Sequence, residues 1–144
     1  GMTADILACS TFTDIFQLRL ALEIGMADFI MRRVTPDDIA QLKKIVAKET
    51  VKQNSSVFEI ESEIAFHGKL YEITGNDTMK KFQRVLLPIF NYVHKSGLII
   101  DPPNLKNYVT HRDLVEVIEN GTPDKLRKAI RVHLNSHFRR LFKQ

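Results

Sequence analysis

Apolar residues recur at every third or fourth position along almost the whole chain, and no stretch alternates with period two for long. That spacing lines one face of an α-helix and gives a sheet no half-buried strand, so the chain is confined to packing helices on helices. The punctuation between the periodic segments is strong. Thr35-Pro36-Asp37-Asp38 reads as a helix start, with Thr35 as N-cap, proline in the first turn and acids at the positive end of the dipole. Ser56-Val57-Phe58-Glu59 has the form of a capping box. Gly75-Asn76 ends a helix, Gly97 through Pro103 forms a loop, and Asn120-Gly121-Thr122-Pro123-Asp124 closes one helix and opens the last. Six helices are expected, at roughly 11–33, 36–53, 57–74, 77–95, 104–120 and 123–142. Pro88 lies inside the fourth and is expected to kink or split it. Short connections favour antiparallel neighbours, so the expected fold class is all-α, an antiparallel bundle.

With 144 residues, 44% of them hydrophobic and 26% charged, the chain suits one globular domain with a real core. No apolar run approaches the ~18–20 residues that a membrane span needs. Ile6-Leu7-Ala8-Cys9 is shaped like a lipoprotein box but lacks a basic start and a long apolar stretch before it. Cys9 is the only cysteine, which excludes an internal disulfide and a cysteine zinc cluster. A cytoplasmic protein is expected. The net charge of +4 gathers in the tail, in Lys125, Arg127, Lys128, Arg131, Arg139, Arg140 and Lys143, with few acids near them in sequence. A solvated outer helix face explains these residues better than a nucleic-acid surface. Gly1-Met2 reads as a tag scar.

The stripes carry an anomaly, because ionisable residues stand where the core should be. On the third helix the stripe runs Ile60, Glu63, His67, Leu70, which stacks Glu63 and His67 one turn apart on the inward face. The fifth carries His111 with Leu114, Val115 and Ile118; the last carries Leu126, Ile130, His133, His137 and Leu141. The first carries Phe12, Ile15, Arg19, Leu22, Met26 and Phe29, so Arg19 is expected among apolar neighbours. Burying an unpaired charge costs several kcal/mol, so these groups must meet one another or share an ion. Carboxylate oxygen and neutral imidazole nitrogen are good ligands for zinc and other first-row divalent ions. Three histidines and a carboxylate leave open positions on a five- or six-coordinate ion. A small anion fits there, with Arg19 as its bidentate partner.

The same residues sit in a pattern. Phe16-Gln17-Leu18-Arg19-Leu20-Ala21-Leu22-Glu23 resembles the R-x-x-L-E opening of the FadR C-terminal (FCD) domain of GntR-type bacterial transcription regulators. Glu63-Ile64-Ala65-Phe66-His67 followed by Thr74-Gly75-Asn76 is similar to its D-x-x-F-H … S-G-N signature. Thr110-His111-Arg112, Glu119-Asn120-Gly121 and Arg131-Val132-His133 resemble its closing E-H … G-D … H. The resemblance implies a dimerising antiparallel bundle of six to seven helices with a central ligand cavity. It implies a divalent metal, zinc or nickel, on Glu63, His67, His111 and His133. A small carboxylate effector would bind beside that metal, with Arg19 matching a pocket arginine and His137 one turn beyond His133. The departure is Glu63, where the pattern prefers Asp: one added methylene either shifts the ligating carboxylate or turns it away. Residues 1–11 are then a tag scar and interdomain linker remnant, and 12–144 the effector-binding and dimerisation domain. DNA would be reached only through a winged helix-turn-helix domain preceding residue 1.

Three functions follow for comparison. The leading one is a sensor that binds a metal and a small organic acid and passes that event to a DNA-binding domain. A metal-free dimerisation module, its Glu and His residues tied by hydrogen bonds alone, is the plain alternative. A mononuclear metalloenzyme has the ligands, but the stripes offer no further inward acid or base, and there is no HExxH motif. A regulator rather than an enzyme is therefore expected. His94 is read as a helix-end residue.

Overall fold

The computed structural model describes residues 12–51, 56–95 and 108–142, with side chains described over 13–49, 61–87 and 108–135. Among these residues there are six helices and no strand: α1 Phe12–Arg33, α2 Pro36–Val51, α3 Ser56–Ile73, α4 Asp77–Lys95, α5 His111–Asn120 and α6 Pro123–Phe142. The expected all-α bundle is what forms.

Local chemistry sets the helix ends. Thr35 and Asp38 cap α2 reciprocally: the Asp38 amide donates to Thr35 Oγ1 at 3.1 Å, and the Thr35 amide donates to Asp38 Oδ2 at 3.0 Å. Gly75 ends α3 with φ of 66°, the left-handed conformation that a side chain resists. A Cβ there would also come within 2.6 Å of Arg33 Nη1. Asn76 Oδ1 then accepts from the Met79 amide at 3.0 Å to open α4. The Ser56 capping box falls outside the described side chains, although α3 does begin at Ser56. One helix, α4, runs through Pro88, so the expected split does not occur.

Two expectations are corrected. The fifth helix begins at His111 rather than near 104, and residues 108–110 are not helical. Thr110 and Asp113 form a capping box that stops the helix from extending backwards. The buried stripe of α1 is also rotated from the one expected: Ile15, Phe16, Arg19, Glu23, Met26, Ala27 and Ile30 are buried, while Leu22 is half-buried and Phe29 is 41% exposed. Arg19, Glu23, Met26 and Ile30 stand at helical spacing, and so do Arg19, Leu22, Met26 and Phe29; the packing of α1 against its neighbours selects the first set.

α1 packs most extensively on α6, α2 on α3 and α5, and α3 on α4. The ion pair from Arg127 at the start of α6 to Asp28 near the end of α1, 2.7 Å long, ties those two helices. Arg127 also pairs with Asp124, so this member of the basic tail does face acids. The core gathers Met26, Ile30, Leu42, Phe66, Leu70, Leu114, Leu126 and Ile130 from five helices.

Candidate metal centre

α3 supplies two of the central groups. Glu63 and His67 stand four residues apart on the face that also buries Phe66 and Leu70, and both are buried. His111 is the first residue of α5, so the Thr110–Asp113 box that starts the helix also aims its ring inward. That ring stacks on Phe66, with centroids 4.2 Å apart and planes 15° from parallel. His133 lies on the buried stripe of α6 between Ile130 and Leu134 and is fully buried. α1 adds Arg19 and Glu23, likewise buried.

The donor atoms converge. Glu63 Oε1 lies 2.8 Å from His67 Nε2 and 3.7 Å from His133 Nε2, and Glu63 Oε2 lies 3.0 Å from His111 Nε2. His67 Nε2 and His133 Nε2 face each other at 3.1 Å. One ligand atom from each of Glu63, His67, His111 and His133 falls within 4.8 Å of all the others. The added methylene of Glu63 thus leaves its carboxylate in the cluster.

A second layer of acceptors stands behind each ring. His67 Nδ1 meets Glu23 Oε1 in a very short contact. His111 Nδ1 meets Glu49 Oε1 at 2.6 Å, and His133 Nδ1 meets the Val109 carbonyl oxygen at 2.7 Å. Each Nδ1 therefore faces an acceptor; with its N–H donated there, the Nε2 lone pair of a neutral ring is left pointing into the common space. This is how metal-binding histidines are oriented, by a carboxylate or a carbonyl behind the ring. His111 Nε2 is buried and makes no hydrogen bond, although Glu63 Oε2 is only 3.0 Å away. The two groups share a space without the alignment that a bond between them requires.

Charge points the same way. Glu23, Glu49 and Glu63 surround the rings, and the Arg19 guanidinium contacts two of them, through Nε to Glu23 at 2.6 Å and Nη2 to Glu63 at 3.1 Å. Burial pushes the Glu23 carboxyl up, but Arg19 and His67 outweigh it and hold the group at about 2. Burial works against the Arg19 charge, yet Glu23 and Glu63 raise its pKa further. Burial pushes His133 down to about 3 against the pull of Glu63, so this ring is neutral and able to ligate. Burial also disfavours charge on His111, but Glu63 and Glu49 overcome it and raise this ring to about 9. The donor set of three imidazole nitrogens and one carboxylate fits a divalent first-row cation.

The structure brings together Arg19, Glu63, His67, His111 and His133. His137 lies in α6, but its side chain is outside the described residues, as is that of His94. Glu23, Glu49 and the Val109 carbonyl were missed. The expectation that no further acid faces inward fails, because Glu23 is fully buried and Glu49 reaches His111 from α2. A signal for Glu23 existed, since it stands four residues after Arg19 on the same stripe. A backbone carbonyl has no signal in sequence. Arg19 guanidinium contacts go to two carboxylates of this chain.

Comparison with known proteins agrees with this architecture. A family model described as the FCD domain matches residues 14–136. The HTH-type transcriptional repressor NanR of Salmonella newport is 29% identical over 133 residues, covering 83% of this chain and 47% of that protein. NanR of Salmonella typhimurium is similar to the same degree, with 46% of its length covered. The chain thus spans about half the length of the curated relatives it matches.

Proposed function

Because this chain belongs to the FCD domain family, we propose that it is the ligand-sensing and dimerisation domain of a GntR-type transcription regulator, with Glu63, His67, His111 and His133 holding a divalent metal ion. The observation that carries this reading is the convergence of three imidazole Nε2 atoms and one carboxylate, each ring backed by an acceptor at Nδ1. Zinc or nickel suits an imidazole-rich set of this kind. When bound, the ion supplies positive charge and open coordination positions for a small organic acid. Arg19 and His137 are the residues proposed to contact that acid; Arg19 also holds Glu63 and Glu23 in place. In the full-length protein, DNA recognition belongs to a winged helix-turn-helix domain preceding this one, in line with relatives named as HTH-type repressors. The effector acts by favouring one dimer geometry over another, which requires it to bind the two geometries with different affinity. Among the described residues no helix is long and apolar enough to cross a membrane. A cytoplasmic regulator, not an enzyme, is the role proposed.

Metal content of the purified protein, read by plasma mass spectrometry, tests the site. We expect close to one zinc or nickel per chain, lost in the His67→Ala/His133→Ala double variant. A wild-type protein that stays metal-free after reloading would sink the metal half of the proposal. One observation favours the metal-free alternative: Arg19, Glu63, His67, His111 and Glu49 already form a connected set of charged contacts, with His111 raised to about 9. In that reading a proton on His111 stands where the cation would, and the chain dimerises without sensing a metal.

A further inference from the structure

Exposure within the cluster falls in one direction. The Glu49 side chain is 24% exposed and that of His111 9%, whereas Glu63 is 6%, His67 1% and His133 0% exposed. The contacts run in the same order: Glu49 Oε1 meets His111 Nδ1 at 2.6 Å, His111 Nε2 lies 3.0 Å from Glu63 Oε2, and Glu63 Oε1 lies 2.8 Å from His67 Nε2. Phe66, itself fully buried, covers one face of the His111 ring and closes that direction to an ion. Against α1 the cluster is closed by Arg19 and Glu23, both buried. Of the three ionisable groups described behind the donors, Arg19, Glu23 and Glu49, only Glu49 reaches solvent.

Glu49 is also held differently from the other two carboxylates. Glu23 and Glu63 each contact the Arg19 guanidinium. The partners of Glu49 among the described residues are Ser62 and His111, and both contact Oε1. The Ser62 hydroxyl donates to that oxygen and ties the carboxylate of α2 to α3. Oε2 takes part in neither contact, and no lysine or arginine among the described residues pairs with Glu49. The side chain is thus anchored through one oxygen and open at the other. We propose that Glu49 is the entry ligand of the metal centre: Oε2 takes a divalent cation from solvent, and His111 is the first of the four donors to receive it. This role rests on the metal site of the proposed function and supplies the route by which that site fills. A carboxylate at the mouth of a low-dielectric site raises the rate at which cations arrive. It also lets the ion exchange its waters for protein donors stepwise, so that no bare ion crosses apolar surroundings. Glu49 and Glu23 then have separate tasks, although each stands behind a ring. Glu23 holds the loaded site from the closed side, and Glu49 acts on the way in.

Stopped-flow uptake of zinc by the whole chain, stripped of metal with a chelator and followed with a chromophoric zinc indicator, tests the proposal. Glu49→Gln keeps a carbonyl oxygen that can accept from Ser62 and His111 but removes the charge. It is expected to slow association about tenfold and to flatten the dependence of that rate on salt, with far less change in release. Glu23→Gln, on the closed side, should leave association unchanged and speed release. Association by Glu49→Gln at the wild-type rate overturns the proposal. So does an equal slowing by Glu23→Gln, or a slowing by Glu49→Gln that keeps the wild-type salt dependence. A wild-type chain that takes up no zinc overturns the metal site and its entry route together; a zinc-binding wild type matched by Glu49→Gln overturns the entry route alone.

Discussion

Three imidazoles in one core would normally be a liability, since each buried ring nitrogen needs a partner, and His67 Nε2 and His133 Nε2 meet at 3.1 Å. Their arrangement is held from behind, by Glu23, Glu49 and the Val109 carbonyl. Glu23 matters most, because it joins the buried Arg19 to the buried His67. Glu23→Gln keeps the shape but removes a charge, leaving Arg19 short of one carboxylate partner. We expect it to destabilise the fold by about 3–5 kcal/mol and to weaken metal binding about 10–100-fold, measured by urea unfolding and metal titration. Glu49→Gln, on a side chain 24% exposed, should show a comparable metal effect with a much smaller stability cost. A Glu23→Gln protein as stable as wild type would mean that the Arg19–Glu23–His67 chain does not hold the site. At this scale the sequence exposed Arg19, Glu63, His67, His111 and His133, because charged residues on an apolar stripe stand out. Glu23 was passed over for Leu22, a neighbour whose apolar side chain looked the better core residue yet is only half-buried.

Elements deliver these side chains, and their ends matter as much as their faces. The first turn of α5 contains both the capping box and His111, so a local hydrogen-bond pair sets the position of one ring. Thr110→Ala removes the oxygen that accepts from the Asp113 amide at 3.1 Å. We expect a loss of about 1 kcal/mol in stability and, because the first turn loosens, a weaker metal affinity with the other three donors intact. Thr110→Ser, which keeps the cap, should restore both; failure of the serine variant to do so would mean that Thr110 acts through its methyl group. The caps at Thr35 and Thr122 were legible as short motifs, and Gly75-Asn76 as a helix end, though not Asn76 as the cap of the next helix. The cap at Thr110 was not, because Asp113 at the fourth position is less familiar there than Glu, and a preceding helix was expected to run through it. At Pro88, where a kink or a split was expected, the helix is not split.

Across the whole molecule, the cluster draws on α1, α2, α3, α5 and α6, so any ion bound there would cross-link most of the bundle. Chelation should therefore lower the unfolding midpoint in a single cooperative step, with no loss of one helix alone. At a free-ion concentration a hundred times the dissociation constant the shift is about 2.7 kcal/mol. Calorimetry with and without a chelator measures it, and an unchanged midpoint would favour the metal-free reading. By itself the sequence determined that the chain is all helix, where most helices begin and end, and which five charged residues lie on inward stripes. Period, caps and breakers are local, and neighbours a few residues apart suffice to encode them. Only the tertiary structure decided that those five residues meet in one place. It also decided that α1 is turned to bury Glu23 and expose Phe29, and that Glu49 and a backbone carbonyl complete the second layer. Such contacts join positions as far apart as 44 to 66 residues in the chain; they depend on how each helix is rotated and set against its neighbours, which no local pattern specifies.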